Sequence, residues 1–201
     1  MSNFLETVSG KMINVLNPDP ADIDIKDISW SLSRMPRFCG ATIPYIPYSV
    51  GQHSIQVMKE LSQHGPRIMM LGLLHDSAEY LISDIPSPVK HIPGFREKIV
   101  EIEENILAAI LKALDIEPAT KEENELVHQA DMTQRAIEAY QFMYSRGKTW
   151  NLPPVSFEKL QEFEEPIIST KVYDLFLMHF NNLKQLMEKP NGVQSNEIQP
   201  N

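Results

Sequence analysis

Four side chains, two histidines and two aspartates, have the chemistry of a metal site. His75 and Asp76 are neighbours on a predicted helix, His53 lies near the start of the preceding predicted helix, and Asp131 lies on a later one. Imidazole nitrogen and carboxylate oxygen are ligands that divalent transition metals accept. Neighbouring residues on a helix diverge by about 100°, so His75 and Asp76 can share an ion only near the line of the helix axis. Spacing alone also allows Asp131 to be an ordinary exposed residue.

A further ionisable side chain, Glu79, follows on the same predicted helix. It lies four residues after His75 and three after Asp76, which places it on their face of the helix. The helix is otherwise apolar, and burying three ionisable groups on it is costly unless something compensates their charge. A divalent cation would do so. We therefore favour a metal site over a core histidine with two surface carboxylates.

Helices are predicted for most of the chain and strands for very little of it. Apolar residues recur at helical spacing in several segments, and prolines or glycines end these segments. Two possible capping boxes, Ser49 with Gln52 and Thr120 with Glu123, mark helix starts. The predicted helices cover 25–35, 49–65, 67–82, 95–114 and 120–144, and the last helices begin near Ser156 and Pro166. This pattern predicts an all-α fold.

The composition indicates one globular domain without a membrane or nucleic-acid partner. Of 201 residues, 42% are hydrophobic, and the net charge of −9 argues against a nucleic-acid polymer. No apolar run is long enough to span a membrane, and the N-terminal segment does not resemble a signal peptide. The lone Cys39 excludes an internal disulfide. We expect a cytoplasmic protein with one domain over 1–188 and a polar, flexible tail over 189–201.

Two segments resemble the HD-domain phosphohydrolase superfamily, whose H…HD…D signature the four candidate ligands match. The segment HDSAEYLISDIPSPVK (75–90) is similar to a stretch of bacterial 5′-deoxynucleotidases, HD-x-x-E-x-x-x-x-D-[IL]-P-[ST]-P-x-K. The segment RFCGATIPYIPYSVGQHS (37–54) resembles the same group and, more closely, phage-type deoxyadenosine triphosphohydrolases. The resemblance covers roughly residues 20–145. It implies that the all-α fold is an HD-domain helical bundle.

The resemblance also implies roles for the matched residues. The four candidate ligands would hold the metal, Glu79 would hold or deprotonate the attacking water, and Asp84 would help to orient water or substrate. Arg37 and Lys90 would bind phosphate, and Phe38 would lie against the deoxyribose, where relatives often have tryptophan. Guanidinium and ammonium groups suit this task, since an anionic substrate of an acidic protein needs local positive charge.

Together these features predict a metal-dependent phosphohydrolase that acts on a small deoxynucleotide. The substrate is either a dNTP, as for a dATP triphosphohydrolase, or a dNMP, as for a 5′-deoxynucleotidase, and the 37–54 segment favours the triphosphate. Mixed His/Asp ligation suits Co²⁺, Mn²⁺, Zn²⁺, Fe²⁺ or Ni²⁺, with one ion per site.

The sequence also leaves two alternative functions open, and the resemblance implies an assembly state. A degenerate HD domain would bind a nucleotide or a partner without turnover. A two-metal site would use His91 or His128 and hydrolyse a cyclic or phosphonate substrate. Relatives of this size imply a homo-oligomer, for which the C-terminal helices offer the apolar residues Phe163, Leu175, Phe176 and Phe180. These four residues could equally belong to the core of the chain itself.

Overall fold

α-Helices make up most of the chain, and the all-α prediction is confirmed. The computed structural model describes residues 3–161 and 164–188, so that Phe163 and the predicted tail lie outside the described residues. Nine α-helices lie within these two ranges: α1 (Ile25–Arg34), α2 (Val50–Glu60), α3 (Pro66–Leu74), α4 (Glu79–Ile82), α5 (Ser87–Lys90), α6 (Arg96–Ala113), α7 (Lys121–Phe142), α8 (Phe157–Gln161) and α9 (Ser169–Glu188).

A short antiparallel hairpin precedes the helices. It consists of β1 (Phe4–Glu6) and β2 (Met12–Asn14). The buried carboxylate of Asp27 in α1 holds the hairpin in place, because it accepts hydrogen bonds from the hydroxyls of Thr7 (2.8 Å) and Ser9 (2.7 Å). Strands of three residues contain too little alternation to be recognised from sequence.

α2 and α3 pack against each other at the centre of the fold, and both also contact α7 and α9. Met70, Leu73 and Leu74 of α3 are fully buried. A helix that is apolar on nearly all sides has to be enclosed by other elements, which is the position α3 takes.

The apolar residues of α9 belong to this core. Phe176 and Phe180 are buried in it, and Leu175 is partly buried against it. α9 contacts α1, α2 and α3. Of the two alternatives, the core is therefore the correct one for Phe176 and Phe180, because the periodic apolar face of the last helix covers the chain's own core.

α1 and α2 approach each other closely at Gly51. A Cβ atom there would lie 3.2 Å from the carbonyl carbon and oxygen of Leu32 and 3.0 Å from Cγ1 of Val172. Gly51→Ala is expected to lower the free energy of unfolding by about 1–3 kcal/mol, because backbone has to move aside. Urea unfolding measures the loss. Lys26→Ala, an exposed change in α1, is the control and should stay within about 0.5 kcal/mol; an equally small change at Gly51 would contradict the prediction.

The predicted central helix is interrupted at His75. α3 ends at Leu74, α4 begins at Glu79, and turns lie between them. The amides of Ser77 and Glu79 bond to carbonyls three residues back (2.9 and 3.0 Å), so the chain is wound more tightly here than in an α-helix. The Ser77 hydroxyl also donates to the carbonyl of Leu74 (2.5 Å), a local bond that competes with helix continuation. The prediction of one unbroken helix was therefore wrong.

The two predicted capping boxes differ. The box at the start of α7 is complete. At the start of α2 the Ser49 hydroxyl accepts from the amide of Gln52 (3.1 Å), but the Gln52 side chain does not return the bond. Its amide group instead donates to the carbonyl of Glu165 (2.8 Å) and accepts from the amide of Ile167 (3.0 Å). The residue before His53 thus fixes the segment that leads into α9.

A β-bridge between Pro36 and Ser49 closes the loop that joins α1 to α2. The amide of Arg37 donates to the carbonyl of Tyr48 (2.8 Å), and the amide of Val50 donates to the carbonyl of Met35 (2.9 Å). These bonds hold the two ends of the loop together. They also fix the backbone position of Arg37.

Candidate metal centre

Side chains from α2, from the turn after α3 and from α7 meet at one point. Nε2 of His53 lies 3.1 Å from Oδ1 of Asp131 and 3.6 Å from Oδ2 of Asp76. Nε2 of His75 lies 3.3 Å from the same Asp76 oxygen and 3.9 Å from the same Asp131 oxygen. Donors bonded to one ion at about 2.0–2.2 Å lie about 2.8–3.6 Å apart at octahedral or tetrahedral angles. The four predicted ligands therefore come together at distances that fit a single metal ion with little movement.

Hydrogen bonds fix the direction of both imidazoles. His75 Nδ1 lies 2.8 Å from the carbonyl oxygen of Gly72, which can only accept, so Nδ1 is the protonated nitrogen. His53 Nδ1 lies 2.6 Å from Oε1 of Glu138. In each neutral ring Nε2 then has a free lone pair, and both Nε2 atoms are buried without a hydrogen-bond partner among the described residues. Metal-ligating histidines are commonly oriented in this way. The pair therefore fits a metal ion.

Glu138 is a site residue that the sequence analysis missed. Its carboxylate is fully buried, faces His53 through Oε1 and accepts from Nε of Arg37 through Oε2 (3.0 Å). Arg37 also donates through Nη1 to Oδ2 of Asp76 (3.3 Å). One buried carboxylate thus holds a candidate metal ligand and a candidate substrate ligand. The available signal was its spacing of seven residues from Asp131, two turns along the same face of α7.

Glu138→Gln is expected to weaken metal binding about 10–100-fold. A glutamine has one acceptor oxygen where Glu138 uses two, so its NH₂ group would face a donor on either His53 or Arg37. Metal affinity measured by competition with a chelating dye tests this. Glu125→Gln, an exposed change on the same helix, is the control. Unchanged affinity in Glu138→Gln would mean that packing alone orients His53.

Carboxylates dominate the electrostatics of the cluster. Burial alone would lower the pKa of His75, but the charges of Asp76 and Asp131 outweigh it and raise this pKa to about 9. Burial would raise the pKa of Asp131, yet the nearby imidazole of His53, 3.1 Å away, and the charge of His75 lower it to about 2. A field that favours a proton on these imidazoles also favours a metal cation between them.

The cluster lies at a cleft of about 700 Å³. The cleft wall includes all five predicted catalytic and substrate residues, together with two of the candidate ligands. These residues are Arg37, Phe38, Glu79, Asp84 and Lys90, with Asp76 and Asp131. Residues 84–88, which follow the predicted helix over 67–82, also line it.

Glu79 is a buried acidic residue of the cleft, and Asp84 is a half-buried one. Glu79 is 5% exposed, and its Oε2 atom has no hydrogen-bond partner among the described residues. Burial, followed by the charges of Asp76 and Asp84, raises the pKa of Glu79 to about 9. Burial also raises the pKa of Asp84. The cleft therefore places two carboxyl groups near the metal ligands, where proton transfer or water positioning can occur.

Both predicted phosphate ligands have carboxylate partners. Arg37 bonds to Glu138 and Asp76 and is mostly buried. Nζ of Lys90 lies 2.8 Å from Oε1 of Glu103 and 3.7 Å from Oε1 of Glu79. The structure thus places both cations at the cleft, but with much of their charge already compensated.

Phe38 faces a second aromatic side chain. Its ring centroid lies 5.7 Å from that of Trp150, another residue that lines the cleft and that the sequence analysis did not single out. Phe38 and Cys39 both have φ of 54°, a left-handed conformation that costs a non-glycine residue roughly 1–2 kcal/mol. Strain of this kind is found where side chains must be aimed at a functional site.

The two histidines of the alternative two-metal site, His91 and His128, do not join the cluster. His91 lines the cleft, but its Nδ1 atom lies 2.6 Å from the carbonyl oxygen of Ser87. His128 is exposed and is not among the residues of the cleft wall. Within the described parts of the chain, His53, His75 and Asp131 form the one group of metal-type donors within 4.8 Å of each other, and Asp76 adjoins it.

None of the helices in 3–161 and 164–188 combines the length and the apolar character that a membrane crossing requires.

Comparisons with known proteins place the chain among bacterial relatives. No protein-family model matches it. It is 35% identical over 107 residues to an uncharacterized protein of Rhodobacter capsulatus, covering 51% of this chain and 54% of that protein. It is 26% identical over 147 residues to the 5′-deoxynucleotidase yfbR of Photorhabdus temperata, covering 65% and 75%.

One relative aligns over nearly its whole length. The uncharacterized protein YfdR of Escherichia coli K12 is 30% identical over 189 residues, which cover 92% of this chain and 97% of YfdR. The distant similarity to a 5′-deoxynucleotidase agrees with a phosphohydrolase of the HD type. On the near full-length match, this chain belongs to the family of YfdR.

Proposed function

We propose that this chain is a metal-dependent phosphohydrolase that cleaves phosphate from small deoxynucleotides. The observation that carries the proposal is the convergence of four His and Asp donors beside a cleft. Two of these donors line the cleft, whose wall also includes the predicted acidic residues Glu79 and Asp84 and the predicted phosphate ligands Arg37 and Lys90. The 5′-deoxynucleotidase among its relatives supports the substrate class. The reaction is release of phosphate from a dNMP or of triphosphate from a dNTP.

The donor set would hold one Co²⁺, Mn²⁺, Zn²⁺, Fe²⁺ or Ni²⁺ ion through His53, His75, Asp76 and Asp131. When bound, the ion would neutralise phosphoryl charge and favour formation of a nucleophile from water near neutral pH. The histidines contribute Nε2, because their Nδ1 atoms are engaged elsewhere. The ion's immediate surroundings would then be two neutral rings and two carboxylates, which balance the charge of a divalent ion. The remaining phosphate charge therefore needs the cationic side chains of the cleft.

The other cleft residues have distinct tasks. Glu79 holds or deprotonates the attacking water, and Asp84 orients water or substrate. Arg37 and Lys90 face the phosphate, and Phe38 with its neighbour Trp150 forms an aromatic wall for the sugar. An aromatic ring against C2′ favours deoxyribose, because an added hydroxyl would be crowded and unpaired. We further propose that the protein acts in the cytoplasm as a homo-oligomer.

A substrate panel tests the proposal. The purified protein is incubated separately with each of the five metals and with canonical dNMPs, dNTPs and their ribose counterparts. Phosphate, pyrophosphate and triphosphate are then measured as products. Release from at least one deoxynucleotide, with a preference over its ribose form, is expected. Absence of release under every metal would overturn the proposal and favour a domain that binds without turnover.

A further inference from the structure

Arg135 is a basic residue of the cleft wall. It lies one helical turn after Asp131 on α7, and both side chains line the cleft. Residues four apart on a helix rise by about 6 Å and share a face. The guanidinium therefore starts one turn away from a candidate metal ligand, on the same side of the helix. It is partly exposed rather than buried.

The cations of the cleft differ in what they already bind. Arg37 is held by two carboxylates and Lys90 is paired with Glu103. His91 bonds through Nδ1 to a backbone carbonyl. Arg135, in contrast, makes no hydrogen bond or ion pair with any residue in the described ranges. Unlike the other described cationic residues of the cleft wall, Arg135 therefore has its full charge and all five N–H donors available to a ligand.

We infer that Arg135 binds a phosphate group of the substrate directly. The inference rests on the proposed function and deepens it. A guanidinium matches phosphate oxygens in a two-pronged geometry, and such charge-assisted bonds are about twice as strong as neutral ones. Arg37 and Lys90 have internal partners that compete with a ligand, whereas Arg135 has none among the described residues. Arg135 is therefore the main phosphate-recognition group of the protein itself.

Nucleotide binding tests the inference. Calorimetry with Mn²⁺ is carried out in the Glu79→Gln background, where turnover is slowed, and the three probes are dAMP, dATP and deoxyadenosine. Adding Arg135→Ala should weaken binding of a phosphorylated probe about 10–100-fold and leave deoxyadenosine unchanged, the loss expected for a charged hydrogen bond. Arg135→Lys should restore part of it. Arg96→Ala, an exposed arginine outside the cleft, is the control.

The outcomes separate the possibilities. If Arg135→Ala loses affinity for dAMP and dATP alike, Arg135 binds the first phosphate. If it loses affinity for dATP alone, Arg135 binds the second or third phosphate. Equal loss for all three probes, deoxyadenosine included, would mean a structural role and overturn the inference, as would no loss at all. If the wild type hydrolyses a deoxynucleotide and Arg135→Ala binds the probes normally, only the inference about Arg135 is wrong. If nucleotide binding depends on Arg135 but the wild type hydrolyses no deoxynucleotide, only the proposed function is wrong.

Discussion

Replacing Asp76 with alanine is expected to abolish metal retention and to lower phosphate release by about 10³-fold or more. A metal contributes several kcal/mol of charge stabilisation to such reactions, and about 4 kcal/mol corresponds to three orders of magnitude. Oδ2 of Asp76 lies within 3.6 Å of both candidate imidazole donors. Its removal deletes a charged ligand and also one of the two carboxylate partners of Arg37.

Metal content after gel filtration, measured by atomic emission, and phosphate release measure the two effects. Asp174→Ala, an exposed aspartate on α9, is the control and should behave as wild type. The group of His53, His75 and Asp131 is compact without Asp76. Full metal occupancy in the Asp76→Ala protein would therefore show that these three donors suffice, and would leave Asp76 as a partner of Arg37 only.

Glu79→Gln is expected to retain the metal while losing about 10²-fold or more in rate. The substitution preserves size but removes an acid–base group that is 5% exposed and has one oxygen without a hydrogen-bond partner in the described structure. Such a group has capacity for a water or a substrate oxygen. Metal content and single-turnover hydrolysis are the two measurements.

A second variant separates the explanations of a Glu79 effect. Glu79 and Glu103 both face Lys90, at 3.7 and 2.8 Å. Glu103 is not among the residues that line the cleft. If Glu79 acts only by holding Lys90, Glu103→Gln should lose as much activity as Glu79→Gln. We expect Glu103→Gln to remain within a few-fold of wild type, and equal losses would reject the acid–base role.

The sequence predicted those parts of the fold that depend on local pattern. Apolar periodicity, prolines and the Thr120 cap were enough to predict most helices, because these signals act within a few residues. The interruption at His75 was not predictable in the same way. A uniformly apolar segment gives no sign of a tightened turn, which depends on one hydroxyl, that of Ser77, and on the packing around it.

The candidate site was accessible from sequence only where residues form a motif. The four metal-type side chains could be named, and the structure brings them together. Glu138, Arg135 and Trp150 belong to no motif, and each reaches the site from a segment distant in sequence from the turn that carries His75. The partners of Arg37 were likewise hidden, since an ion pair across 101 residues follows from helix packing and not from spacing.

The β-bridge between Pro36 and Ser49 allows the sequence of the loop between α1 and α2 to change independently of the metal-type side chains. Because the ends of the loop are paired with each other, we expect the positions of Arg37 and His53 to depend little on the length of the stretch between 41 and 47. This stretch contacts α7 through a bond from the amide of Ile43 to the carbonyl of Phe142 (2.9 Å). Lengthening a flexible loop costs only about 0.6 kcal/mol per doubling. Insertions and deletions can therefore accumulate in this stretch, where Ile43 and Tyr45 are exposed. This part of the surface can diversify while the metal-type side chains stay in place.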